Sequence, residues 1–206
     1  MRRSKLHLLP LAAVTFLLIV EPASGQESTT RGFTLGFHAT GASLDVEGGY
    51  DGRSNAGGGG MHVGYGVNRK ITIFAQGDGA KFDDLTTDDV EGEWTMGHFD
   101  VGVRYNFANS LRKWVPFIQG ALGYRVVSVS DPIVNGTAVN ELSISGSGLT
   151  IGGGIDYYLS ESWALDVQLL WTGGEFTTLT VDNVSVSGLD FDATSSRFTV
   201  GVGWWP

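Results

Sequence analysis

Apolar and polar residues alternate along most of the chain. In "GFTLGFHAT" Phe33, Leu35, Phe37 and Ala39 share one face, while Thr34, Gly36, His38 and Thr40 share the other. A period of two is that of a β-strand, whose successive side chains point to opposite faces. The pattern is clearest in "HFDVGVRYNF", where Phe99, Val101, Val103, Tyr105 and Phe107 oppose His98, Asp100, Gly102, Arg104 and Asn106. A helix would scatter these charges over its whole surface. The same alternation runs through "MHVGYG", "ITIFAQGD", "FIQGALGYR", "LTIGGGIDYY", "WALDVQLLWT" and "RFTVGVGWW", with Phe74 as an apolar break on the polar side of the third segment.

These eight segments are joined by connections that themselves alternate in length. "VNRK", "ANSLRK" and "LSES" are short; "EGGYDGRSNA", "KFDDLTTDDVEGEWT", the region around "SDPIVNGTAVNELS" and "VDNVSVSGLDFDATS" are long. A meander with short turns at one end and long loops at the other is the layout of an outer-membrane barrel. The pattern therefore predicts an all-β fold, an eight-stranded antiparallel up-and-down transmembrane β-barrel, in which the eighth strand pairs with the first so that no edge is left unpaired in hydrocarbon.

A soluble barrel with its apolar face turned inward would also alternate, and two features separate the readings. Its polar face would carry bulky solubilising side chains, whereas here Gly, Ala and Thr dominate that face with a few isolated charges. Small residues suit the narrow interior of an eight-stranded barrel. Second, Tyr65, Phe107, Trp114, Tyr157, Trp163 and Trp204 all lie beside a short turn or at the chain end, at one height, as an interfacial girdle requires. Tyr124, Trp171 and Phe176 form a looser candidate band at the loop end.

With 206 residues the chain is expected to form a single domain. Glycine is abundant at 31 residues and proline scarce at 5, so the excess belongs to neither a collagen nor a linker composition. There is no cysteine, which excludes disulfides, thiolate metal sites and cysteine nucleophiles. Arg2, Arg3 and Lys5 precede the apolar run Leu8 to Val20 and then "EPASGQ", which reads as an export signal covering residues 1–25, with residues 26–206 as the barrel. The run is too short for a membrane anchor, which needs about 20 apolar residues. Its removal, together with Glu21, leaves 10 Lys and Arg against 21 Asp and Glu. That balance argues against nucleic acid as a partner.

In these features the chain resembles the small eight-stranded outer-membrane proteins of Gram-negative bacteria, the OmpX-like and OmpA transmembrane-domain families, over residues 31–206. The ending "TVGVGWWP" is similar to the C-terminal assembly signal of such barrels in Gly201 and Trp204, and departs from it by ending in Pro206. The resemblance implies an outer-membrane location and, as partners, outer-membrane lipids, lipopolysaccharide and the barrel assembly machinery. It also implies that the separate peptidoglycan-binding domain of OmpA has no counterpart here.

Little in the chain points to chemistry. "GGGGMHVGYG", Gly57 to Gly66, is not a phosphate loop, because Met61, Val63 and Tyr65 alternate through it and no helix follows. His38, His62 and His98 face inward without metal-ligand spacing, although His38 and His62 can meet across the first two strands. The lipid A deacylases of similar size use a His and a Ser two residues apart; the nearest analogue is His38 with Thr40, without an evident acidic partner. Neither a metal nor a cofactor is expected. The acidic connection holding Asp83, Asp84, Asp88, Asp89, Glu91 and Glu93 lacks EF-hand spacing and reads first as a solvated loop, with divalent cations as a second use.

The polar face carries Asp78, Asp100, Arg104, Arg125, Asp156, Asp166 and Arg197. Isolated buried charges are costly, so these residues are expected to pair into a plugged, ion-paired lumen, with Arg104 and Arg125 bridging Asp78 and Asp100. The expected role is structural or interactive, displaying loops to the outside. A small pore, a lipid A enzyme and a soluble carrier are the competing readings.

Overall fold

The computed structural model describes residues 30–46, 54–82, 90–107, 113–134 and 137–206. The expected export signal at 1–25, the acidic residues Asp83, Asp84, Asp88 and Asp89, and the side chain of Glu91 lie outside the described set.

Among the described residues nine strands follow in order: β1 (Gly32–Val46), β2 (Ser54–Gly66), β3 (Ile71–Phe82), β4 (Val90–Asn106), β5 (Trp114–Val134), β6 (Thr137–Ala138), β7 (Leu142–Tyr158), β8 (Trp163–Val181) and β9 (Val184–Trp204). Eight of them form the wall; β6 is a two-residue bridge folded back on the end of β5. Each wall strand pairs antiparallel with its neighbours. The ring closes where β1 meets β9, from Leu35 opposite Trp204 to Val46 opposite Ala193.

Face alternation follows the sequence pattern. Phe37, Met61, Ile73, Val101, Leu122, Ile151, Leu169 and Val200 are exposed on the outer surface, while the intervening Thr, Gln, Asp, Arg and His side chains are buried inside. Phe74, the break in the third segment, is buried in the interior with the polar residues of its face.

Short turns cap one end. At residues 67–70 the side chain of Asn68 accepts hydrogen bonds from the backbone N–H of Lys70 (2.8 Å) and Ile71 (3.0 Å). At 159–162 the Ser160 hydroxyl accepts from Trp163 N–H at 3.1 Å. These local bonds satisfy backbone groups that the ladders leave open.

At the opposite end the wall is uneven, and here the sequence expectation is corrected. The connection expected as a loop from Val181 is instead strand on both sides of a two-residue turn, Asp182 and Asn183, with φ of 49° and 65°. Two successive residues at positive φ are the signature of a type I′ turn, which Asn and Asp tolerate best. The strands thus continue well past membrane height, and β5 and β7 rise with them. At a β8 bulge after Phe176 the pairing shifts, and Gly188 at φ 93° bends β9 alongside it.

Candidate functional site

Two of the four consecutive glycines in β2 are dictated by the wall itself. A Cβ at Gly58 would be driven into the carbonyl oxygen of Gly79, and one at Gly60 into that of Gly77, with His38 Nε2 only 2.6 Å away. Gly57, on the outer face, has nothing within 4 Å. The inward glycines therefore let β2 and β3 close tightly and leave room for a large polar cluster.

That cluster is centred on Arg197 of β9. Its guanidinium donates from Nη1 to Asp78 Oδ2 and from Nη2 to Asp100 Oδ2, each at 2.6 Å. Asp78 also accepts from His38 Nε2 (2.6 Å), Thr40 (3.0 Å) and Gln76 (3.1 Å). Asp100 accepts from the Thr150 hydroxyl at 2.6 Å. All of these groups are buried. The His62 ring stacks on His38 at 6.2 Å, fitting against Gly36 where a side chain would collide with it.

A second cluster lies nearer the turn end. Arg104 donates from Nε to Gln119 (2.9 Å), Gln119 to Gln168 (3.3 Å), and Gln168 to Asp166 (2.5 Å). Asp156 and Asp166 face each other across β7 and β8, and Arg104 Nη1 lies 3.7 and 3.6 Å from their Oδ2 atoms. The Arg104 guanidinium sits 3.7 Å above the Phe117 ring, which holds it by cation–π attraction.

The structure departs from the expected bridging. Asp78 and Asp100 are clamped by Arg197, not by Arg104 or Arg125. Adjacency along the sheet is the weaker constraint here: Arg104 stands opposite Thr72 and Gln119, well below Asp78, whereas the narrow interior lets Arg197 span from β9 to β3 and β4. Arg125 donates from Nη2 to the carbonyl of Ala193 at 3.1 Å and lies 5.1 Å from the Phe176 ring. Phe176 is likewise corrected. An odd spacing of five from outward Trp171 puts it on the inner face, where it is buried, so only Tyr124 and Trp171 of that expected band are exposed outside.

Apolar side chains cluster at both ends of the described interior. Val115, Tyr158, Ala164 and Trp205 pack together at the turn end. Leu44, Phe82, Met96, Val127 and Phe176 belong to a larger cluster at the loop end. Sequence reasoning missed both plugs and the neutral partners Gln76, Gln119, Thr150 and Gln168, because it followed charge alone; their inward parity was the signal available.

Outside, Tyr65, Phe107, Trp114, Tyr157, Trp163 and Trp204 are all exposed and border the turn end. Trp114 is the cross-strand partner of Tyr157, and Trp163 of Trp204, with the latter rings 6.5 Å apart. At the loop end Glu93 pairs with Lys81 at 2.6 Å.

The family model described as outer membrane protein beta-barrel domain matches residues 10–204. No curated protein matches the chain. Among solved structures, it is similar to Neisserial surface protein A (TM-score 0.61, 16% identity, covering 89% of this chain and 99% of that one). It is also similar to OprG from Pseudomonas aeruginosa (0.58, 10%, 89% and 98%) and to Ail, the attachment invasion locus protein of Yersinia pestis (0.54, 11%, 84% and 98%). At these identities the likeness is one of fold.

Proposed function

The chain belongs to the outer membrane protein beta-barrel domain family, and from that premise we propose a non-catalytic wall protein whose loop end presents an acidic sheet to partners outside the cell. The observation that carries this reading is the acidic character of the loop end, where β9 from Val184 to Ser187 and at Phe191 and Asp192 is held against β8.

Charge defines the class of partner. Asp45, Asp131, Glu141, Asp182, Asp190 and Asp192 are exposed at that end, where Lys81 is the basic residue among those described. Ail is known in complex with the heparin analogue sucrose octasulfate; the acidic rim here favours a basic partner over a sulfated one. Arg31, Arg69 and Lys70 lie at the turn end beside the aromatic belt, suited to phospholipid headgroups, as the expected lipid partnership requires.

Vesicles carrying the refolded protein test the reading on immobilised poly-lysine and heparin surfaces. Retention on poly-lysine that weakens with salt, and is lost when Asp182, Asp190 and Asp192 are together changed to Lys, supports it. Retention on heparin alone, or no difference between the two proteins, counts against it.

A further inference from the structure

Arg125 is the cation that the two polar clusters leave over. It is fully buried, no carboxylate lies within 4 Å of it among the described residues, and its Nε and Nη1 groups have no hydrogen-bond partner there. A buried guanidinium with no carboxylate in contact is expensive, and its open N–H groups call for an anion.

Its surroundings define what kind. Arg125 sits where the polar interior meets the apolar loop-end cluster, touching Phe176 and neighbouring Val127 and Met96. Above this level the composition of the inner face changes. Ile144 packs on the cluster; its cross-strand partner is Leu179, and the partner of Leu179 is Val186. Cross-strand partners share a face, so these three form an apolar row climbing from the cluster to the mouth. Phe191, partner of inward Phe176, joins them. The other face carries Ser145, Thr178 and Ser187 in the corresponding positions. The β8 bulge produces this arrangement, because without the extra residue Leu179 would point outward. Val186 is 55% exposed and Phe191 43% exposed, so the row is uncovered at its top.

We infer that the loop end is a binding site for a single-chain amphiphile with a carboxylate head, such as a long-chain fatty acid. The head meets Arg125, and the alkyl chain lies along Phe176, Ile144, Leu179 and Val186 toward the mouth. A slim ligand is required, since an eight-stranded interior is only just wide enough for side chains. A monoanion matches the single guanidinium of Arg125. Met96 and Phe176 are themselves buried and must turn aside to admit the chain, which unbranched Met does readily.

Radiolabelled palmitate and nanodiscs of zwitterionic phospholipid test this. Discs holding the barrel should bind palmitate saturably, one molecule per barrel above empty discs, with competition by other long-chain carboxylates and not by hexadecanol. Arg125→Gln should weaken binding about tenfold or more. Val186→Glu, a surface change at the mouth, should weaken it by setting a charged group against the alkyl chain, while the gel shift between boiled and unboiled protein is retained. Uptake equal to empty discs, equal competition by hexadecanol, stronger competition by an alkyl phosphate, or binding unchanged in Arg125→Gln would overturn the proposal.

Discussion

Arg197 and Asp78 are 119 residues apart in the chain and 2.6 Å apart across the barrel interior. One guanidinium thereby joins β9 to β3 and, through Asp100, to β4. Replacing Arg197 by Met leaves two carboxylates buried without a cation. A loss of about 3–5 kcal/mol is expected, read as a lower urea midpoint for the heat-modifiable band. Combining Arg197→Met with Asp78→Asn and Asp100→Asn should recover much of that loss, since the stranded charges are then gone.

Glycines in one run should differ sharply. Gly57→Ala points to open space and should change stability by less than about 0.5 kcal/mol. Gly58→Ala and Gly60→Ala press a methyl group against the β3 backbone and should cost about 1–3 kcal/mol or prevent folding. Equal tolerance at all three positions in a refolding-yield series would contradict the tight β2–β3 closure.

A filled interior predicts little conduction. In planar bilayers the reconstituted barrel is expected to show no large, stable single-channel step. Trp205→Gly combined with Arg104→Ala, which removes part of the turn-end plug and its charge bridge, should raise the frequency of small openings. Large, steady conductance from the unaltered protein would overturn the expectation of a plugged lumen.

The hairpin turn offers a backbone test. Asn183 at φ 65° should accept Gly with little change, whereas Asn183→Val should cost about 1–2 kcal/mol locally. Limited proteolysis of vesicle-bound protein should show faster cutting between Phe176 and Phe191 in the Val variant only.

Much of this was legible in a period of two. Alternation placed Asp100, Arg104, Asp156 and Arg197 inside and the six turn-end aromatics outside, because strand parity is a strict local rule. Pairing inside the barrel was not legible. It depends on side-chain reach across a closed cross-section, and nothing in the spacing of Arg197 along the chain reveals that it stands level with Asp78. The tall hairpin was missed for another reason. "VSVSGLDF" alternates like a strand, but the length expected of a membrane strand placed it in a loop.

Among the described residues β5, β8 and β9 are the longest strands, with 21, 19 and 21 residues, and β8 and β9 meet in the turn at Asp182 and Asn183. A hairpin of this kind carries its own backbone hydrogen bonds. Whatever approaches from above on that bearing meets a parapet already braced from within, whose direction in the plane of the membrane is set by two strands.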